Sequence, residues 1–183
     1  MKKNIFKRRR VVLATIGIAG DFYRQSIKAA MLLNRRAVLL IGGDRNRPTE
    51  PLPEGIIAVN YAPFGELLPR AAAMVHQGGV GTTAQGLRAG IPMLVVPFAH
   101  DQHDNGARVE RLGVARTIAR NSYKPRRVAS ELKELLDNPS YAQTAREVGS
   151  RVRAESGGAL AVDLILDQLN ERRAERFRLQ TVA

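Results

Sequence analysis

Short apolar runs recur along the first two thirds of the chain and alternate with segments of helical periodicity. Each run holds four to six residues that are rich in Val, Ile, Leu or Ala, without the polar alternation of a half-exposed strand. Runs of this kind are typical of parallel strands that are buried on both faces of a sheet. Six strands are predicted in this way, at residues 11–16, 37–41, 56–60, 71–76, 93–96 and 114–118.

Helices are predicted in the intervening segments. Asp21 caps the first helix, and its apolar side consists of Phe22, Ile27, Ala30, Met31 and Leu33. Further helices are expected at 64–70, 82–89 and 102–112, and from residue 125 onward with breaks at 138–139 and 157–158. Strands that alternate with helices predict an α/β fold, in which helices cover both faces of an open parallel sheet.

The domain boundaries are predicted from length and from the composition of the two ends. A chain of 183 residues is typical of one domain. Residues 1–10 are basic and residues 173–183 are rich in Arg, so both are predicted to be tails around a single domain at 11–172. The last helix is amphipathic in its first half through five apolar residues, Leu160, Val162, Leu164, Ile165 and Leu169.

Cysteine is absent, which excludes disulfides, thiolate metal sites and cysteine nucleophiles. The apolar runs are far shorter than the ~20 residues of a membrane-spanning helix. The apolar stretch that follows the basic first ten residues is also too short for a signal peptide. We therefore predict a cytoplasmic protein.

Half of the excess positive charge lies in the first ten residues. The chain carries 29 Lys and Arg against 17 Asp and Glu, a net charge of +12, and residues 1–10 hold six of these bases and no acid. A concentrated basic end is more typical of a solvated tail than of a nucleic-acid-binding surface. We predict no nucleic-acid partner, while a weak contact of residues 2–10 with an anionic membrane surface stays open as an alternative.

The most informative strand end has the sequence His-Gln-Gly-Gly-Val-Gly-Thr-Thr at 76–83. Three glycines permit a tight turn, and the helix that follows presents unpaired N–H groups and its positive dipole end. This arrangement is suited to phosphate or pyrophosphate, to which Thr82 and Thr83 add hydroxyls and His76 an imidazole N–H. The alternative is that the glycines only make a tight turn and that His76 is a satisfied strand-end residue.

The motifs disfavour several other chemistries. Thr82 stands where a nucleotide triphosphatase has its Walker lysine, and residues 17–20 lack the glycine spacing of a dinucleotide-binding turn. No Ser lies in a nucleophile-elbow sequence. His100, His103 and Asp104 are an incomplete set of metal ligands, so no metal is predicted.

A carboxylate and a carboxamide stand side by side at the start of another predicted helix. Asp101 and Gln102 follow the strand at 93–96, so we expect them at the same edge of the sheet as residues 76–83. Such a pair is suited to a polyol, because each side chain can bond adjacent hydroxyls. Helix capping by Asp101 is the plainer alternative, and it does not account for Gln102.

Four segments, in this order, resemble the donor-binding signature of nucleotide-sugar glycosyltransferases. They lie at 61–68, 76–83, 89–92 and 97–105, and the second is similar to the His-His-Gly-Gly-x-Gly-Thr-Thr of bacterial and sterol-glucosyltransferase-like members. These UDP-glycosyltransferase-like enzymes have two facing Rossmann-like domains. The resemblance covers most of residues 11–170 and implies a single Rossmann-like domain, the C-terminal, donor-binding half of such an enzyme.

The resemblance also implies a role for each motif. Tyr61 stacks on the nucleobase, the backbone near Ala62 recognises the base edge, and Gln85 lies near the ribose. Asp101 and Gln102 bind hydroxyls of the transferred sugar. The pyrophosphate is held by His76, Gly78, Gly79, Gly81, Thr82 and Thr83. The donor is then a UDP- or dTDP-linked sugar that acts as substrate, and no cofactor or metal is expected, because protein donors neutralise the diphosphate.

The chain departs from the family pattern in three places. Gln77 replaces the second His of the signature, and the turn after the first strand has Ile18 where Ser is usual. The acceptor-binding N-terminal domain, which carries the His that serves as general base in the family, is absent from these 183 residues. We therefore expect little catalysis by this chain alone and a requirement for an acceptor-domain protein in trans or for a further domain.

The sequence thus predicts the donor-binding domain of a glycosyltransferase that transfers a hexosyl group to an acceptor hydroxyl. Two other classes stay open. One is a noncatalytic interaction or regulatory module, or a degenerate remnant, that reuses the fold; the other is half of a nucleotide-sugar epimerase. The sequence does not determine the acceptor, the sugar, the nucleotide or the oligomeric state.

Overall fold

The computed structural model describes residues 11–15 and 20–181, with side chains for residues 21–172. The chain divides into two compact units, Met1–Ser150 and Arg151–Ala183. The strands are β1 (Val11–Thr15), β2 (Ala37–Leu40), β3 (Ile56–Val59), β4 (Ala71–His76), β5 (Met93–Val95) and β6 (Ala115–Thr117). The helices are α1 (Gly20–Leu32), α2 (Phe64–Leu67), α3 (Val80–Ala89), α4 (Gln102–Arg111), α5 (Pro125–Asp137), α6 (Pro139–Ala154) and α7 (Gly157–Thr181).

All six strands form one parallel sheet in the order β3-β2-β1-β4-β5-β6. The chain steps outward from β1 to β3 and then returns to the centre of the sheet to begin β4. Open α/β sheets bind their ligands at such a reversal, beyond the carboxyl ends of the strands. The predicted fold class, a Rossmann-like sheet, is confirmed.

Helices cover both faces of the sheet, and this explains the uninterrupted apolar strands. On one face, α1 and α5 pack against a cluster that includes Tyr23, Leu39 and Leu132. On the other face, α2, α3, α4 and α6 pack around Val95 and Val109. Because each strand is in contact with helices above and below, neither face of β2 or β5 has a polar side chain.

Three local predictions were wrong in position. The predicted helix at 64–70 becomes a 3₁₀ turn after Leu67, because Pro69 has no N–H to continue the ladder. The predicted break at 157–158 lies at 155–156, where the carbonyl of Ser156 accepts the N–H of Leu160 at 3.0 Å and starts α7. Met31 was predicted on the apolar side of α1 and is 57% exposed, because nine residues of helix place it half a turn away from Phe22.

The second unit consists largely of α7. The large apolar side chains that the structure describes on α7 are each more than half exposed, and the helical spacing distributes them over two sides: Leu160, Val162, Leu164, Ile165, Leu166 and Leu169. These residues therefore do not form a single apolar stripe along the helix. Among the helices that the structure describes, none is both long and apolar enough to cross a membrane. The predicted basic tail at 1–10 lies outside the described residues.

A buried carboxylate joins three elements at the edge of the sheet. Glu131 of α5 is 4% exposed, accepts a hydrogen bond from Arg116 of β6, and forms an ion pair at 2.7 Å with Arg127, one helical turn away. Arg116 also donates to the hydroxyl of Tyr141 of α6 at 3.0 Å. The hydrogen bond to Glu131 raises the pKa of Arg116 above its ordinary value. Because the carboxylate is buried, it is stabilised only while both cations remain paired with it.

We expect Glu131→Gln to lower the free energy of unfolding by about 1.5–3 kcal/mol, since charge-assisted hydrogen bonds to Arg116 are lost in a buried position. Urea denaturation followed by circular dichroism measures the change. Lys133→Gln is the matched control on the same helix, because Lys133 pairs with Asp137 on the exposed surface. An equal effect of the two substitutions would contradict a structural role for the buried carboxylate.

Candidate functional site

His76 is the last residue of β4 and lies at the carboxyl edge of the sheet with no exposed surface. Its Nδ1 accepts a hydrogen bond from the backbone N–H of Gly78 at 3.0 Å. Burial lowers the pKa of His76 to about 4, so the ring is neutral at physiological pH. With Nδ1 as an acceptor, the neutral ring carries its proton on Nε2.

The Nε2 atom of His76 is buried and has no hydrogen-bond partner among the described residues. A buried N–H without a partner is rare, and such groups are concentrated where a ligand or ordered water completes the site. The expectation of a satisfied strand-end histidine therefore holds for Nδ1 and fails for Nε2. The Oε1 atom of the next residue, Gln77, is likewise buried without a partner in the described part of the chain.

The glycine loop is held tightly against the start of α4. Gly78 has φ +94°, a backbone conformation that residues with a side chain rarely adopt. A Cβ atom there would lie 2.9 Å from both the Gln102 carbonyl oxygen and Val95 Cγ1. Gly79 then forms the N-cap of α3. Because α3 is ten residues long, its first N–H groups and its dipole form the positive end of a full helix at this loop.

The two threonines of the loop have different environments. The hydroxyl of Thr83 is buried and donates to the Gly79 carbonyl at 3.0 Å, so its proton serves the first turn of α3. Thr82 is half-buried, and Gly81 has open space around it. The contacts of both threonines with a phosphate stay predictions, and the structure favours Thr82 as the hydroxyl donor.

The segment before α4 is organised by Gln102. Its side-chain oxygen accepts the backbone N–H groups of Phe98 at 2.8 Å and Ala99 at 3.2 Å. His100 lies between them and the helix with φ +56°, an uncommon conformation for a residue other than glycine. The side-chain oxygen of Gln102 is thus already bonded to the loop. The amide N–H groups of Gln102 are the part of the side chain that suits a sugar hydroxyl. Asp101 is exposed beside it.

Asn105 joins the two halves of the site. Its side-chain amide donates to the carbonyl of Gly78 at 2.9 Å and to Asp101 Oδ2 at 2.7 Å. Asn105 lies in the fourth motif, and no role was predicted for it. Its spacing could have indicated the contact with Asp101, because residues four positions apart lie on the same face of a helix.

Of the predicted nucleoside-binding residues, Tyr61 and Ala62 lie at the end of a different strand, and Gln85 lies on α3 after the glycine loop. Tyr61 follows β3 and is 80% exposed, while Ala62 is half-buried against the core under α2. Gln85 is exposed on the second turn of α3. Since β2 and β1 separate β3 from β4, the two strand ends are roughly 14 Å apart. The contacts that join loop 76–83 to α4 do not extend to Tyr61.

A cavity of about 520 Å³ lies beyond the carboxyl ends of β5 and β6, on the far side of α4 from the glycine loop. His103 and Arg120 line it, and the Arg120 guanidinium lies 4.7 Å from the centre of the Phe98 ring. The described side chains contain no group of three or more His, Asp or Glu placed to hold a metal ion. Residues 16–19 of the turn after β1 lie outside the described residues. This turn contains Ile18, which stands where the family usually has Ser.

The comparisons with known proteins agree on one family. A family model, erythromycin biosynthesis protein CIII-like, C-terminal domain, matches residues 25–162. The O-mycaminosyltylonolide 6-deoxyallosyltransferase of Streptomyces fradiae is 36% identical over 160 residues, which is 84% of this chain and 37% of that protein. The sterol 3-beta-glucosyltransferase of Pichia angusta is 36% identical over 123 residues, 67% of this chain and 10% of that protein.

Solved structures give the same result. The glycotransferase of kitacinnamycin superposes with a TM-score of 0.78 at 32% identity, covering 87% of this chain and 43% of that one. The glycosyltransferase VinC in complex with dTDP superposes with a TM-score of 0.72 at 26% identity, covering 80% of this chain and 38% of that one. The chain thus spans less than half the length of the proteins it matches. It belongs to the erythromycin biosynthesis protein CIII-like C-terminal domain family of the UDP-glycosyltransferases.

Proposed function

We propose that this chain binds a nucleotide-sugar donor and forms the donor half of a glycosyltransferase that transfers a hexosyl group to an acceptor hydroxyl. The observation that carries the proposal is the buried Nε2–H of His76, which has no partner among the described residues and lies beside the N-terminus of α3. Both features are hydrogen-bond donors, and both favour an anion at the same strand end. A diphosphate supplies acceptors for both.

The reaction that fits this site is displacement at the anomeric carbon of the sugar. The acceptor oxygen forms the new bond, the bond to the diphosphate breaks, and the leaving nucleoside diphosphate carries away the electron pair. Negative charge therefore grows on the diphosphate in the transition state. The Nε2–H of His76 and the N–H groups of α3 are positioned before the reaction to stabilise that charge. Asp101 and Gln102 orient the sugar through its hydroxyls.

The nucleotide is proposed to be UDP or dTDP. The exposed ring of Tyr61 supports this, since an aromatic face at the end of β3 suits a stacked base, and VinC, a relative of the same fold, is described in complex with dTDP. The general base is proposed to come from a second domain, in the same polypeptide or in trans. His100 and His103 are exposed on the donor side and are poor substitutes. A cytoplasmic location stays a prediction from the sequence.

We expect His76→Ala to weaken binding of UDP or dTDP by about tenfold to a hundredfold, because a buried hydrogen bond to a charged group contributes about 1.5–3 kcal/mol. Isothermal titration calorimetry measures the affinity, and a thermal melt shows whether the variant is folded. His103→Ala is the matched control, because that histidine is exposed and has no role in the proposal. If the wild-type chain binds no nucleoside diphosphate at millimolar concentration, the proposed function is wrong.

We expect Asp101→Asn to remove part of the affinity that the sugar adds, while the affinity for free UDP stays unchanged. A sugar hydroxyl donates to a carboxylate more strongly than to an amide oxygen, and the difference corresponds to about a tenfold loss. Parallel titrations with UDP and with UDP-glucose isolate the sugar contribution. Asp104→Asn is the control three residues further along, in the first turn of α4, where the carboxylate pairs with Arg108. An equal loss for both ligands would show that Asp101 does not contact the sugar.

A further inference from the structure

The outer face of α1 carries an apolar centre that no described element covers. Met31 is 57% exposed and Leu32 is 58% exposed, and they are adjacent on the last turn of the helix. Two grooves flank them and share Lys28 and Met31, so the surface is continuous from one groove to the other. We call this continuous surface, with both grooves, the α1 surface.

The first groove lies between α1 and the long connection from β2 to β3. It has a volume of about 440 Å³, and Ile27 and Leu52 contribute to its apolar lining. A crossover helix would fill this space in a regular α/β unit, whereas here a connection with a single 3₁₀ turn occupies it. Four cationic side chains line this groove: Arg24, Lys28, Arg45 and Arg47.

The second groove lies between α1 and the start of α5. Leu32 and Pro125 join Met31 in its apolar lining, and its cations are Lys28, Lys124 and Arg126. The two grooves therefore place six different cationic side chains around one exposed apolar pair. An amphipathic arrangement of this kind is typical of surfaces that lie in the interface of an anionic bilayer.

The charge of the α1 surface is not neutralised by its own carboxylates. Glu50 is the one acidic residue among those that line the two grooves. Arg24 and Arg47 each pair with an aspartate at one end of the surface, at 4.0 Å and 3.1 Å. The net charge therefore stays positive around Met31.

The topology places the Met31 end of the α1 surface near the start of β1, whereas Arg45 and Arg47 at its other end follow the carboxyl end of β2. Helix α1 runs back from the carboxyl edge of the sheet to the amino edge, where Ala37 of β2 pairs with Val12 of β1. Residues 2–10, with six basic side chains and no acid, are joined to the sheet at Val11, on this same edge. The candidate donor site lies at the opposite, carboxyl edge.

We propose that the α1 surface docks on an anionic membrane, with Met31 and Leu32 in the interface and the six cations at the level of the lipid headgroups. Anionic lipid is the partner that matches both halves of the surface, because headgroups attract the cations while the acyl boundary accepts the apolar pair. This inference does not depend on the proposed function, since it uses none of the donor-site residues.

Vesicle co-sedimentation tests the proposal on the full chain. We expect binding to phosphatidylcholine vesicles that contain about one third phosphatidylglycerol, weak binding to pure phosphatidylcholine, and release at high salt. Lys28→Gln with Arg45→Gln should lower the partition coefficient by about tenfold or more, since each cation near an anionic surface contributes about fivefold. Met31→Ser with Leu32→Ser should lower it by about tenfold at unchanged charge.

The controls remove equal charge, or one exposed leucine, elsewhere. Arg111→Gln with Arg146→Gln changes two exposed cations on α4 and α6, at the other face of the sheet, and Leu112→Ser removes an exposed leucine there. These variants should bind like the wild type, and thermal melts and UDP titration confirm that all variants fold.

Two outcomes would overturn the proposal. In the first, the α1-surface variants bind vesicles like the wild type, and binding is lost when the bases of residues 2–10 become Gln. This result would assign the contact to residues 2–10 alone. The second is no vesicle binding together with a dimer in sedimentation velocity that Met31→Ser with Leu32→Ser dissociates, which would assign the surface to a second copy of the chain.

Discussion

The contact between the glycine loop and the first turn of α4 is the constraint on which the candidate site depends. Two strand ends, those of β4 and β5, reach this edge as neighbours in the sheet, and Gly78 packs against the backbone of Gln102 because Gly78 has no side chain in the way. Asn105 then bonds both the loop and Asp101. Without this close approach, the phosphate-type and sugar-type motifs would be two unconnected loops.

The same loop determines the state of His76. Its turn brings the Gly78 N–H onto Nδ1 and closes the ring off from water, which keeps the imidazole neutral and leaves the proton on Nε2. A neutral ring aligned in advance binds an anion through a directed hydrogen bond, with no proton to gain or lose. The unpartnered Nε2–H is unfavourable in the free protein. Natural proteins retain such groups at functional positions, where a ligand completes the hydrogen bond.

The candidate donor site and the α1 surface differ in chemistry. The strand end at His76 gathers backbone N–H groups, neutral polar side chains and one aspartate around the glycine loop, whereas the outer face of α1 carries cations around an exposed apolar pair. The two surfaces are formed by different connections, those after β4 and β5 for the site and those after β1, β2 and β6 for the α1 surface. They therefore share no residue.

The apolar runs by themselves determined the sheet and its burial. Strands such as Ala71–His76 were located from sequence because a segment buried on both faces leaves a local signature of composition, independent of its neighbours. The glycine spacing in the sequence likewise indicated a turn and an anion-binding start of a helix, because backbone conformation is a local property.

Tertiary structure decided the polar contacts between elements. Asn105 donates to the carbonyl of Gly78, 27 positions earlier in the chain, and only the packing of α4 against the glycine loop brings the two residues together. Packing also buries His76 and leaves its Nε2 without a partner among the described residues. The hydrogen bonds of Thr83 and Gln102, by contrast, join residues three or four positions apart. The physical reason is that burial and hydrogen-bond partnership are properties of pairs of elements, while propensity is a property of each element alone.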